Sequence, residues 1–189
     1  GLVGSNYGTL TQCYATGAVT GLYDNVGGLV GFNYNYGTVT QCYATGAVSG
    51  GIFVGGLVGM NDDYGLVTQC YAIGAVSGFG AVGGLLGRND GTVNSSYWDT
   101  ETSGQATSAG GTGEPTSAMM AQATFVGWDF QYVWGIVEGH MYPYFRFQPI
   151  SGPGVPIAGK FGILSLGLCL GVAGVWVAKK KVIRKYYAL

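Results

Sequence analysis

Gly27-Gly28-Leu29-Val30-Gly31, followed by Gly37-Thr38-Val39-Thr40-Gln41-Cys42-Tyr43-Ala44-Thr45-Gly46-Ala47-Val48-Ser49-Gly50, is the stretch on which the fold turns. Its first part recurs along the chain as Leu2-Val3-Gly4, Leu29-Val30-Gly31, Leu57-Val58-Gly59 and Leu85-Leu86-Gly87, at intervals of 27, 28 and 28. Its second part spans Thr9 to Val19, Thr38 to Val48 and Leu66 to Val76, and returns shortened as Thr92-Val93-Asn94-Ser95-Ser96-Tyr97. Within each unit the apolar runs are short, rich in Val, Tyr, Thr and Leu, and bounded by Gly or Asn-Gly-like turns, which is strand chemistry. No run is long enough at a 3.6 period to form an amphipathic helix.

A unit of about 28 residues with two or three short strands is one coil of a parallel β-solenoid. One coil cannot bury its own apolar face, so coils stack about 4.8 Å apart and equivalent residues form ladders. The expected fold is all-β: about four such coils over residues 1–98, the last incomplete. Leu29, Leu57 and Leu85 stack inside it, as do Val39, Val67 and Val93, while Tyr14, Tyr43, Tyr71 and Tyr97 form an aromatic ladder on the adjacent face.

These motifs resemble the GLUG motif, a Gly-Leu-x-Gly repeat of bacterial surface proteins and some secreted peptidases, across residues 1 to 98. The resemblance implies a β-helical extracellular segment with adhesive or structural roles. It does not imply catalysis, because in such peptidases the repeats accompany the catalytic domain without supplying its residues.

Beyond the repeat, residues 99–150 change character, with a Gly/Thr/Ser loop, a short helix expected over Glu114–Gln122 with Thr116 or Ser117 near its N-cap, and the aromatic runs Gly127-Trp128-Asp129-Phe130, Val133-Trp134-Gly135-Ile136 and Tyr142-Pro143-Tyr144-Phe145. An open solenoid end exposes strand edges and a cut core, so this segment is expected to cap that end.

Residues 151–160 are a Pro/Gly linker, and 161–178 are an uncharged run, FGILSLGLCLGVAGVWVA, followed by Lys179, Lys180, Lys181, Arg184 and Lys185. As a helix that run spans about 27 Å, near the thickness of the hydrocarbon core, so a transmembrane helix is expected. The basic residues place the 179–189 tail in the cytoplasm and the solenoid outside. Val155-Pro156 followed by Phe161-Gly162, the apolar run and the basic end is similar to bacterial C-terminal sorting segments of the Ile-Pro-Thr-Leu type, which implies a sorting peptidase as partner. Ile157-Ala158 stands where that type has Thr-Leu, and Phe161 where it has Trp. The chain opens inside the repeated motif, with no signal peptide at Gly1, and reads as a piece whose export signal lay upstream.

Composition narrows the function. Of 189 residues 37 are Gly and 9% are charged, while 48% are hydrophobic and 14% aromatic, enough apolar material for a packed core. Residues 1–157 carry two basic and nine acidic side chains, a balance of −7, and the remainder carries +6. An acidic folded region repels phosphate, so nucleic acid is not an expected partner.

Cys13, Cys42 and Cys70 share one repeat position, held by Ser96 in the fourth coil. No Cys-x-x-Cys pair offers a metal site. Small buried core residues are the expected role, with an inter-coil disulfide as the alternative. His140 has no neighbouring nucleophile or orienting group, and Asp62-Asp63 lacks the oxygens calcium requires. A polysaccharide-cleaving groove needs clustered carboxylates, and the repeat region holds four acids and Arg88. No cofactor and no enzymatic site are therefore expected.

The tyrosine ladder is suited to stacking on sugar rings or to lateral packing. The sequence thus points to a non-catalytic surface solenoid, structural or adhesive, with a glycan or surface protein as its contact. An accessory repeat tail of a larger secreted peptidase or polysaccharide-active enzyme is the second reading, and self-association through coil ends or the Tyr face a third.

Overall fold

A computed structural model describes residues 1–62 and 64–148. Their chain winds into an all-β parallel solenoid of about three turns, with five short strands in a full turn. The first ladder stacks Val3–Asn6, Val30–Asn33, Val58–Asn61 and Leu86–Asn89. The second stacks Thr9–Thr11, Thr38–Thr40, Leu66–Thr68 and Thr92–Asn94. The third stacks Tyr14–Ala15, Tyr43–Ala44, Tyr71–Ala72 and Tyr97–Asp99. Three-rung ladders of Val19–Thr20, Val48–Ser49 and Val76–Ser77, and of Val26–Gly27, Phe53–Gly55 and Ala81–Gly83, complete the turn. The four coils expected become four rungs on the first three ladders only, since residues after Tyr97 leave the repeat before closing another turn.

Strand alternation sorts the side chains. In the third ladder Tyr71 points outward while Ala72 points into the main core, beside Leu29, Leu57, Leu85, Val39, Val67 and the cysteines. The last two ladders enclose a second, narrower core of Val26, Val48, Val54 and Val76. The doubled glycine ahead of each leucine is a matter of space: a Cβ on Gly56 would strike the Gly84 carbonyl and Ala72, and one on Gly28 the Gly56 carbonyl and Ala44.

The coil turns one corner at a residue with positive φ that precedes each repeat cysteine or Ser96: Gln12 (52°), Gln41 (51°), Gln69 (52°) and Ser95 (42°). There the amides of Cys13 and Cys42 donate to the Sγ of Cys42 and Cys70 one rung on, at 3.4 Å in both cases, and the Cys70 amide donates to Ser96 Oγ at 3.1 Å. Each thiol or hydroxyl donates in turn to the carbonyl two residues back, from Cys42 to Thr40, Cys70 to Thr68 and Ser96 to Asn94. Ser96 is therefore a chemical equivalent of the cysteines at this position. Cys42 and Cys70 are free, buried thiols with no disulfide between them. Burial, then the neighbouring Cys42, pushes the Cys70 thiol well above its ordinary pKa, which keeps it protonated and unreactive. Cys70→Ser is expected to stay within about 1 kcal/mol of wild type, whereas Cys70→Ala strands the Cys42 amide and costs about 1–3 kcal/mol, read from denaturant midpoints.

The segment after the repeat does two jobs, where end-capping alone was expected. Trp98 closes the top of the main core, its Nε1 donating to the Gln105 carbonyl at 3.0 Å. The chain then crosses that end: Ser108 Oγ accepts from the amides of Leu85 and Leu86 at 3.2 and 2.8 Å, and Thr112–Glu114 adds a fifth parallel rung to the third ladder. The remaining residues, including the hairpin Trp134–Val137 and Met141–Phe145, lie along the flank of the solenoid over the tyrosines. The expected helix over Glu114–Gln122 shrinks to Thr116–Met119, whose N-cap is Pro115 without a side-chain bond. An unforeseen turn of helix, Thr100–Ser103, is capped by Asp99.

No helix among the described residues is long and apolar enough to cross a membrane. The linker 151–160, the apolar run 161–178, Val155, Pro156, Phe161 and Gly162, and the basic tail all lie outside the described residues.

Candidate functional site

The repeated positions read from the sequence come together as ladders. Tyr14 stacks on Tyr43 at 5.2 Å between ring centroids, and Tyr43 on Tyr71 at 5.0 Å, with planes within 13°. Their outer surface is covered by Phe125, Trp128, Trp134 and Phe145, which bury Tyr43, Tyr71 and Tyr97. Tyr43 and Tyr71 also anchor the flank, donating to Gln148 Oε1 and to the Pro143 carbonyl. Burial pushes the Tyr43 phenol up to about 12. The rings of this ladder meet the protein's own aromatic residues, with Tyr43 and Tyr71 buried against them and Tyr14 half-buried at its end.

A second buried ladder was not foreseen. Asn6 Nδ2 donates to Asn33 Oδ1 at 2.7 Å, Asn33 Nδ2 to Asn61 Oδ1 at 2.7 Å, and Asn61 Nδ2 to Asn89 Oδ1 at 2.8 Å. The same Nδ2 atoms of Asn33 and Asn61 reach the carbonyls of Gly37 and Gly65 at 2.9 and 3.0 Å. An amide carries both donor and acceptor, so one residue type repeats along the axis without an unmatched partner until the ends. The signal was present in the sequence as Gly-x-Asn after each Leu-Val or Leu-Leu, in Gly31-Phe32-Asn33, Gly59-Met60-Asn61 and Gly87-Arg88-Asn89.

Asp99 fastens the cap. Its carboxylate is buried and accepts from the amides of Glu101 and Thr102 at 2.9 and 3.0 Å, from Thr116 Oγ1 at 2.8 Å and from Tyr142 OH at 2.7 Å. Burial alone would raise its pKa, but the four donors outweigh it and hold the carboxyl below its ordinary value. The folded protein therefore binds this proton less readily than the unfolded chain. The stabilisation is complete above about pH 4 and is lost as pH falls through the lowered folded value. An acid titration followed by near-ultraviolet dichroism is expected to show cap loosening only below about pH 4, and Asp99→Asn is expected to flatten that limb.

The turns after the Asn ladder differ in length. Asn6 and Asn89 are separated from the next glycine by one residue, Tyr7 or Asp90, while Asn33 and Asn61 are separated by three, Tyr34-Asn35-Tyr36 and Asp62-Asp63-Tyr64. The Gly37 amide closes the first of these turns on the Tyr34 carbonyl at 3.0 Å, and the Gly65 amide closes the second on the Asp62 carbonyl at 2.8 Å. Tyr36 and Tyr64 sit at φ of 63° and 62°, stack at 5.1 Å with planes 9° apart, and are 70% and 73% exposed. Nearby, Tyr34 contacts Tyr7 edge-on at 4.6 Å and stacks on Phe32 at 4.9 Å.

His140 is exposed, the Arg88–Asp90 ion pair is superficial at 2.7 Å, and among the described residues no three His, Cys, Asp or Glu side chains gather as a metal site.

This geometry defines a class: a parallel β-solenoid held by internal side-chain ladders and buttressed on one flank. Residues 23–49 match the GLUG motif, and the stacked rungs carry its register on either side. A protein of Evansella cellulosilytica named "Putative Gly-rich membrane protein" is 43% identical over 56 residues, a match covering 29% of this chain and 6% of that relative's length. No solved structure matches the chain.

Proposed function

We propose that the chain is a non-catalytic structural and adhesive segment of a cell envelope, with its solenoid outward, residues 161–178 in the membrane and the basic tail inside. The observation that carries the reading is the deployment of the repeat's chemistry: its buried asparagines, cysteines and tyrosines bond or stack with their own counterparts one rung away. A scaffold of that kind is a rod that presents its surface and turns. The name of the Evansella relative, the apolar run and the basic tail together favour the envelope. Glycans or surface proteins are the contacts such a rod would make, and a sorting peptidase acting near Pro156 is the alternative to a retained anchor.

The test is fractionation of the protein in its own host, with intact-mass analysis and protease treatment of whole cells. Membrane-bound product reaching Leu189, with the solenoid cleaved from outside, supports the anchor. A surface-linked or released product ending near Pro156 replaces the anchor with sorting. Product found only inside intact cells, protected from protease, contradicts the envelope reading.

A further inference from the structure

The corner that joins the last two ladders is built from residues 21–25, 50–52 and 78–80 on three successive rungs, and it turns apolar side chains outward. Leu22, Tyr23 and Phe79 are 87%, 83% and 97% exposed, and Ile52 joins them. We infer that two copies of the chain meet at this corner, antiparallel, each seating its Phe79 between Tyr23 and Phe79 of the other. The inference rests on the adhesive reading above and makes a second copy of the chain its partner.

Register comes first. Val26, Val54 and Val82 pair across the last ladder, and Tyr23, Gly51 and Phe79 stand three places before them. The Gly51 amide donates to the Tyr23 carbonyl at 3.2 Å and the Phe79 amide to the Gly51 carbonyl at 2.9 Å, so the three form one column. Ring, glycine and ring therefore alternate, with two rungs, about 9.6 Å, between the ring-bearing backbones. The covered tyrosines show that rings on adjacent rungs stack at 5.2 and 5.0 Å, so the vacant place here is the width of one more ring. The chain does not fill it from Gly51, where a Cβ would stand 2.8 Å from the Tyr23 carbonyl oxygen. A copy related by a two-fold axis does: its Phe79 enters the gap, and the order becomes Tyr23, the partner's Phe79, Phe79, the partner's Tyr23.

Charge agrees with that orientation. Asp24 follows Tyr23 on the first rung, while Arg88, the basic residue of the repeat region, lies toward the other end with its guanidinium over the Phe53 ring at 5.5 Å. Its ion pair with Asp90 leaves both side chains nearly half exposed, and a guanidinium has further donors to offer. An antiparallel pair sets each Asp24 toward the partner's Arg88, whereas a parallel pair sets acid against acid. Four apolar side chains from each copy make a small contact, of the weak class that acts through many copies on a surface. Rods projecting from two facing cells meet in the antiparallel sense.

The test follows the full chain by sedimentation velocity in mild detergent, and by clustering of phosphatidylcholine vesicles that carry it. Tyr23→Ser/Phe79→Ser is expected to weaken association about tenfold or more at an unchanged melting temperature. Tyr132→Ser, at an exposed ring on the flank, is expected to leave association as it was. Asp24→Lys and Arg88→Glu chains are each expected to associate poorly alone and to recover when mixed, because only the mixed antiparallel pair matches both of its charge contacts. A mixture that fails to recover would overturn the antiparallel register. A marked fall in the melting temperature of the serine pair would make the rings structural and overturn the contact. Association untouched by the serine pair would overturn the site while leaving the adhesive reading standing. Clustering with protein-free vesicles, lost in the serine pair, would assign the corner to a lipid surface instead. No association, in a protein whose host cells still use it to attach elsewhere, would overturn the partner alone; no association and no attachment would bring down the adhesive reading as well.

Discussion

Asn61→Leu is expected to destabilise the solenoid by about 2–5 kcal/mol, although the substitution keeps the number and branching of the side-chain heavy atoms and adds apolar surface. Asn61 is fully buried, and it connects Asn33 on one rung to Asn89 on the next through bonds of 2.7 and 2.8 Å. Leucine would leave an Asn33 N–H and the Asn89 Oδ1 without those partners in a setting where water does not replace them. The Gly65 carbonyl would keep the Thr92 amide and suffer less. Asn89→Leu, on the last rung and only half-buried, is expected to cost less than half as much. Denaturant unfolding of the two variants gives the comparison; equal losses, or an Asn61→Leu change below about 0.5 kcal/mol, would show that the ladder does not hold the coils in register.

Trp134→Ala carries the other large effect, about 3–5 kcal/mol. The indole is fully buried between Trp128 at 4.5 Å, Phe145 at 4.5 Å, Tyr71 at 6.1 Å and Tyr43 at 6.2 Å between ring centroids. Its Nε1 has no acceptor among the described residues, so the contribution is packing alone. Trp134→Phe is therefore expected to recover most of the loss, which a lost hydrogen bond would not allow. Because this side chain joins the flank to the ladder, the alanine variant is also expected to raise hydrogen exchange at the amides of Tyr43 and Tyr71 before the Leu29–Leu57–Leu85 core opens. Uniform exchange across both regions would mean that cap and solenoid unfold as one unit.

How much of this was legible follows from where the period operates. Leu29, Leu57, Leu85, the cysteines and the tyrosines recur at fixed intervals, and stacking converts each interval directly into a contact. The asparagines recur equally well, but a polar residue next to a turn suggests solvent, and only the observed bonds show that it faces inward. The aromatic segment has no repeat and hence no register of its own. Its composition announced a cover, while its placement on the flank depended on contacts between residues as distant as Tyr43 and Gln148. Tyr36 and Tyr64 were marked by nothing more than two extra residues ahead of a glycine. Their stacking on one another depends on the turn geometry, which composition does not display.

The measurement that bears most directly on the central claim is attachment of the host's own cells to a polysaccharide or neighbouring-cell layer, comparing wild type, a deletion of the gene, and the deletion complemented with the intact gene. Attachment that falls on deletion and returns with the intact gene is the predicted result. Attachment indifferent to deletion would contradict the adhesive account and leave the solenoid without the contact role assigned to it here.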